Sequence, residues 1–306
     1  MPYTAGKMNA RGERPRPREP QRLYVLAATG LALLAFAGNS LFTRAALGAR
    51  TIDAATFTAV RLGAGALVLL LVTWRPGVAL APPSPRRRLG GPLALFLYAA
   101  PFSIAYLRID AGVGALVLFG SVQVTMVAVG LARGERPGLR GFFGLLLACA
   151  GLLGLTLPGA DRPDLVGAVL MAVAGVAWGA YSLLGQGLDR PLSANAWSFA
   201  LAAPLALLWL GIAAAKAHVA PVGLAYAVLS GGLTSAVGYA IWYRALRGLG
   251  ALEAAVAQLA VPILAALGGV LFLGEAFAPR LGLAGAAVLG GVGLVLSGRV
   301  QKAAPR

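Results

Sequence analysis

The chain has 306 residues, of which 59% are hydrophobic and only 12% charged, with 42 glycines, a formal charge of +16 and a mean hydropathy of +0.80. Soluble domains carry about 25% charged residues, so this composition excludes an ordinary soluble fold and points to a chain whose partner is a lipid bilayer. The net positive charge does not indicate nucleic acid, because the basic residues sit in short loops and at the amino end rather than in one patch with interleaved aromatics.

Residues 1–22 carry Lys7, Arg11, Arg14, Arg16, Arg18 and Arg22, interrupted by Pro15, Pro17 and Pro20, with too few apolar groups to bury anything; a disordered basic cytoplasmic tail is expected. A cleaved signal peptide fits less well, since the apolar segment that follows runs beyond the typical core of about 7–15 residues. Ten apolar segments come next, at about 23–43, 54–73, 91–107, 113–131, 139–157, 164–186, 195–214, 222–243, 250–273 and 281–297. Most have the roughly 20 residues that a helix needs to cross a hydrocarbon core of about 30 Å. Of the Lys and Arg residues outside these segments or at their ends, 19 fall on the side of the amino-terminal tail and six on the other: Arg44, Arg50, Arg108, Arg162, Lys216 and Arg280. Positive residues near helix ends resist translocation, so both termini, including the tail 298–306, are expected in the cytoplasm.

The chain also repeats itself. Gly114-Ala115-Leu116, Gln123 and Gly134-Glu135 answer Gly250-Ala251-Leu252, Gln258 and Gly274-Glu275, and the two spacings differ by four residues, about one helical turn. Ala37-Gly38-Asn39-Ser40-Leu41-Phe42 aligns in the same register on Trp178-Gly179-Ala180-Tyr181-Ser182-Leu183. Halves 23–157 and 164–297 therefore read as a duplication, and five spans per half with both termini inside make it an inverted repeat. The expected fold is an all-α integral membrane protein of ten transmembrane helices in two inverted five-helix repeats.

Residues able to carry chemistry are few. Asn39 and Thr43 share a face of the first segment, Ser103 and Tyr106 lie in the third, and Trp178, Tyr181, Ser182 and Gln186 make a polar stripe on the sixth. Such residues serve either as a binding surface or as hydrogen-bonding glue between helices. Arg61 is the only charge well inside a segment, seven residues past Ala54 and about 10 Å deep. Burial there demands an ion pair or a reach to the interface, with anion binding as the alternative. In the eighth segment Ser235, Tyr239, Trp242 and Tyr243 fall on one side; the last two suit an interfacial belt, whereas Ser235 and Tyr239 suit a cavity wall. Gln258 precedes Pro262 by four residues, so its carbonyl loses the usual helical donor. It then faces a cavity with both amide and carbonyl, or marks a kink that only shapes packing. Gln123 is its repeat partner without the proline.

Glu253, in the first turn after Gly250, suits the positive end of a helix dipole, with proton coupling as the sharper alternative. Gly144 and Ala148, and Gly282, Ala286 and Gly290, repeat small residues every four positions and read as close helix packing in the fifth and tenth segments. A single Cys149 and a single His218 leave no disulfide and no histidine or cysteine metal site, and no cofactor is expected.

With Trp-Tyr-Arg-Ala-Leu at 242–246, Gly-Ala-Leu at 250–252, Gln258, Pro262 and Leu-Gly-Glu at 273–275, residues 23–297 resemble the EamA-type family of the drug/metabolite transporter superfamily. The resemblance implies ten helices in two inverted repeats around a central cavity lined mainly by the first, third, fourth, sixth, eighth and ninth. It also implies a secondary transporter that moves a small-molecule substrate, such as an amino acid, or exports a toxic compound by alternating access, without enzymatic activity, in the cytoplasmic membrane. Asn39, Ser103, Gln123, Tyr181, Ser182, Ser235, Tyr239 and Gln258 are the candidate cavity residues. The sequence departs from the family pattern at Ala37, where tryptophan is common, and in lacking a first-half proline equivalent to Pro262. No phosphate-binding Gly-Lys-Ser/Thr loop occurs, which speaks against nucleotide-driven transport. A membrane enzyme of lipid or isoprenoid metabolism is the runner-up, disfavoured by ten acidic residues lying mostly in loops, and a lipid flippase subunit is a third reading.

Overall fold

Prolines and aspartates punctuate the hydrophobic runs and set where helices begin. A computed structural model describes residues 19–74, 84–108, 111–156, 164–186, 188, 190–273, 279–297 and 300–302. Its helices are α1 (Glu19–Gly48), α2 (Ala54–Thr73), α3 (Pro85–Ala105), α4 (Ala111–Ala132), α5 (Leu139–Thr156), α6 (Leu165–Gly185), α7 (Pro191–Ala213), α8 (Pro221–Leu229), α9 (Gly238–Ala245), α10 (Ala251–Gln258), α11 (Ala260–Leu273) and α12 (Pro279–Ser297). Helices α3, α7 and α8 start on a proline, whose missing N–H costs nothing at a first helical position. The side chains of Asp53 and Asp164 cap α2 and α6 by accepting from the backbone N–H of Thr56 at 2.9 Å and Gly167 at 2.6 Å. Glu253 does similar work for α10, accepting from the Gly250 N–H at 2.8 Å.

Among the described residues seven helical stretches are long and apolar enough to cross a membrane, and the apolar stretches Val117–Ala132, Leu139–Gly151 and Ala286–Val295 are shorter. The distribution of side chains is that of a protein dissolved in lipid. Leu31, Leu34, Leu67, Leu71, Leu207, Leu208, Ile212, Leu271 and Phe272 are exposed, while Asn39, Arg61, Ser235 and Gln258 are buried. Among the described residues the regular structure is helical apart from two three-residue strands, β1 (Glu135–Pro137) and β2 (Val300–Lys302), which pair antiparallel. Helix α1 begins four residues before the segment read from the sequence, so residues 19–22 of the expected disordered tail are helical; residues 1–18, 298–299 and 303–306 of the expected tails lie outside the described residues.

Two irregularities position the site. Between α8 and α9 the residues Ser230–Val237 form a π-helical stretch, which the spacing of apolar residues does not announce. Between α10 and α11 the helix breaks at Leu259, ahead of Pro262.

The helices pair as follows. α1 packs on α8, the π-helical stretch, α9 and α11; α2 packs on α7, α8 and the π-helical stretch; α3 packs on α6 and α7; α4 packs on α6 and α10; and α5 packs on α12. Close packing of α5 on α12 is as expected, but the expected small-residue stripe of α12 is not the one used. A Cβ on Gly291 would lie 2.5 Å from the Gly144 carbonyl oxygen and 2.9 Å from Ala148 Cβ, whereas one on Gly290 would meet only Leu147 Cδ2 at 4.0 Å, and Ala286 is exposed. Small residues occupy several faces of this helix, so a period of four alone could not select the packed one.

Candidate functional site

Arg61 of α2 has no exposed surface, so it does not reach the interface, and among the described residues it makes no ion pair. Its guanidinium donates from Nε to Ser235 Oγ at 3.1 Å and from Nη2 to the hydroxyls of Tyr98 at 3.2 Å and Tyr239 at 2.7 Å. The faces of Tyr98 and Phe102 stand 5.1 and 5.7 Å from its central carbon, in cation–π range. Among the described residues Nη1 has no hydrogen-bond partner and no carboxylate pairs with Arg61. The backbone arrangement is equally tight, because a Cβ on Gly231 would sit 2.1 Å from the Arg61 carbonyl oxygen. Glycine at the start of the π-helical stretch is what lets α2 come so close.

The network continues toward α1. Tyr98 accepts from Asn39 Nδ2 at 3.3 Å, and Asn39 Oδ1 accepts from Ser230 Oγ at 2.6 Å. Asn39, Tyr98, Phe102 and Tyr239 then turn toward a small cavity, which Phe36, Ser40, Leu118, Phe119 and Trp178 complete. Its volume of about 20 Å³ holds about one water, far less than a metabolite. Arg61 lies directly behind the tyrosine wall.

On the opposite side an aromatic cluster closes the structure. Trp178 and Tyr239 lie 4.6 Å apart, Tyr181 and Tyr243 5.1 Å apart, and Phe36 meets Trp178 edge-on at 5.1 Å. The indole N–H of Trp178 donates to Gln258 Oε1, while Gln258 Nε2 donates to the Ala254 carbonyl at 3.2 Å and approaches Met126 Sδ at 3.2 Å. Gln123 Nε2 donates to the Ala255 carbonyl at 2.9 Å, leaving its Oε1 buried without a partner. No group of three or more His, Cys, Asp or Glu placed to hold a metal ion occurs among the described residues.

The chain has known relatives. The profile of the EamA-like transporter family matches residues 165–297. The uncharacterized protein PA1977 of Pseudomonas aeruginosa is 53% identical over 91% of this chain and 96% of its own length. The threonine/homoserine exporter RhtA of Escherichia coli is 32% identical over 82% of this chain and 84% of its own. The chain belongs to the EamA-like transporter family, within the drug/metabolite transporter superfamily. A crystal structure of a protein 20% identical covers 90% of this transporter and 97% of that chain with a TM-score of 0.76, which shows the shared fold.

All eight candidate cavity residues of this transporter are buried, but they separate into groups. Asn39 and Tyr239 line the cavity, and Ser235 lies behind it on Arg61. Ser103 accepts from Thr58 Oγ1 at 2.8 Å and donates to the Ala99 carbonyl, fastening α3 to α2. Tyr181 donates to Asn195 Oδ1 at 2.7 Å and Ser182 accepts from Trp242 Nε1 at 3.1 Å. Trp242 and Tyr243, expected as an interfacial belt, are instead buried against α6. Gln258 and Gln123 bridge α10 to α6 and α4 outside the cavity wall. Phe36, Tyr98 and Phe102 were missed; the four-residue spacing of Tyr98 and Phe102 beside Ser103 is the signal that could have found the last two.

Two loops of the transporter are tied to each other. Asp53 accepts from the backbone N–H of His218 at 2.9 Å, Ala220 N–H donates to the Thr51 carbonyl at 2.7 Å, and Ile52 bridges Val219. Burial raises the pKa of the Asp53 carboxyl, but hydrogen bonds from Thr56 and from the backbone of His218 outweigh it and hold the group below its ordinary value.

Proposed function

We propose that the protein is a secondary transporter of the cytoplasmic membrane that exports a small amino acid or a closely related metabolite by alternating access. Ten spans form two inverted repeats, 23–157 and 164–297, with both termini in the cytoplasm. The pairing of helices supports this: α3 on α6 has its counterpart in α1 on α8 and α9, α4 on α6 in α1 on α11, and α2 on the π-helical stretch in α3 on α7. The pairs α2 with α7, α4 with α10 and α5 with α12 are their own counterparts under the same twofold relation.

The observation that carries the reading is a largely aromatic cavity with a few polar groups, walled by both halves, Asn39 and Tyr98 from the first and Trp178 and Tyr239 from the second. A site at the repeat interface is where rocking of one half against the other exposes it to alternate sides. The present volume is that of a closed state, and Asp53 ties two loops to each other. Asn39, Ser103, Gln123, Tyr181, Ser182, Ser235, Tyr239 and Gln258 contribute as walls or as supports of the walls. The amino-acid class rests on the likeness to RhtA.

Purified protein in proteoliposomes preloaded with unlabelled threonine or homoserine is expected to accumulate the labelled compound by counterflow. Counterflow no greater than in protein-free liposomes, for these and for a panel of other small amino acids, sinks the reading.

A further inference from the structure

Arg61 carries a full charge, has no exposed surface and pairs with no carboxylate among the described residues. Neutral hydroxyls satisfy Nε and Nη2, while Nη1 has no acceptor among the described residues. A guanidinium in a lipid-embedded interior is costly to leave in this condition, and the usual remedy is an anion. Two of the three hydroxyls holding it, those of Tyr98 and Tyr239, belong to side chains that also form the cavity wall, as does the ring of Phe102 stacked on it. The charge therefore stands one side chain behind a cavity walled by both halves. A tyrosine hydroxyl is a replaceable acceptor: it leaves by rotating a side chain, with no backbone rearrangement. A planar carboxylate offers two oxygens at the spacing of the guanidinium fork, so it would answer the orphan Nη1 together with a nitrogen freed by a tyrosine.

We propose that Arg61 is the carboxylate-binding group of the transported compound, reached when Tyr98 and Tyr239 turn away from the guanidinium and give it to the substrate. This deepens the transporter reading and rests on it for the identity of the substrate. Asn39, already donating to Tyr98, holds that ring in the closed state. The compound supplies the counter-charge that the chain lacks, so the site discriminates against the same molecule with its carboxylate amidated.

Thermal unfolding of the purified wild-type protein in detergent is followed with L-threonine and L-homoserine and with the corresponding amides. The acids are expected to raise the unfolding temperature at concentrations at least tenfold below those at which the amides act. Arg61→Gln is expected to remove that preference with a loss of acid affinity on the order of 10- to 100-fold, and Arg61→Lys to retain part of it. If Arg61→Gln does not fold, Tyr98→Phe and Tyr239→Phe, which leave the charge in place, are expected to keep the preference for acids while changing affinity. Acids and amides acting equally on the wild type, or both failing to act, overturns the proposal, as does an Arg61→Gln protein that folds and still prefers acids. Counterflow in liposomes separates this from the transporter reading. Acid-selective binding without counterflow refutes transport and leaves the Arg61 site standing, whereas counterflow that amides inhibit as well as acids do refutes the Arg61 site alone.

Discussion

The α5–α12 pair and the helices around Arg61 meet the same demand, association in a solvent as apolar as their own side chains, by opposite means. Between α5 and α12 the answer is proximity: Gly144 and Gly291 face each other's backbone, and dispersion does the rest. Around Arg61 the answer is hydrogen bonding, with a guanidinium, two tyrosines, two serines and an asparagine from four separate stretches of chain. Close packing of glycines has one good arrangement. Hydroxyl groups can change partners at small cost, so the polar centre can have two arrangements where the buttress has one.

The comparison breaks most visibly at its glycines. Gly231→Ala would force a Cβ onto the Arg61 carbonyl oxygen, and a loss of about 3 kcal/mol, with failure of counterflow, is expected from thermal unfolding and liposome assays of the purified variant. Gly291→Ala collides with the Gly144 carbonyl and should lose about 2 kcal/mol, yet retain counterflow per folded molecule. Equal loss of counterflow in both would erase the division between buttress and centre.

Next in size is the Trp178–Gln258 hydrogen bond. Trp178→Phe leaves Gln258 Oε1 buried without its donor and should cost about 1–3 kcal/mol in unfolding measurements. Combining it with Gln258→Leu should cost less than the two single changes added together; strict additivity would mean that the bond contributes nothing.

Asp53→Asn loosens the latched loops and should cost no more than about 1 kcal/mol at neutral pH. Because the folded-state pKa lies below the ordinary 3.8, the stability it contributes is fully present above that value and is lost as pH falls through the lower one. The wild type should therefore lose stability relative to Asp53→Asn only in acid below about pH 4; a difference that vanishes near pH 6 would assign the effect to another group. The smallest change is Gly290→Ala, expected to stay within about 0.5 kcal/mol because nothing stands closer than 4.0 Å. A larger loss would restore the packing stripe first read from the sequence.

Most of the helices were legible because length and hydropathy decide whether a segment can stay in lipid, and neither depends on what the segment touches. The identity of polar partners was not legible. Arg61 and Tyr239 are 178 residues apart, and nothing in either neighbourhood names the other. An arginine that deep needs compensation, and the sequence points to an acid, the interface or a bound anion rather than to distant hydroxyls. The hydroxyl answer depends on α3 and the π-helical stretch leading into α9 lying against α2. Trp242 and Tyr243 were misplaced for the same reason: their position beside Arg244 resembles an interfacial belt until α6 is seen to cover them. The π-helical stretch had no signal either, since Ser-Gly-Gly-Leu-Thr-Ser-Ala-Val reads as an ordinary, glycine-weakened helix.

That stretch has a rotational meaning. A π turn holds more residues than an α turn, so everything after it is wound to a different angle from the one an unbroken helix would set. One residue corresponds to about 100° around the axis, enough to carry a side chain from one neighbouring helix to the next. Tyr239, Trp242 and Tyr243 all lie downstream. Their facing is thus decided by the winding between Ser230 and Val237, and removing a single residue there would swing three aromatic rings away from Arg61 and α6 together while leaving every one of them in place in the sequence.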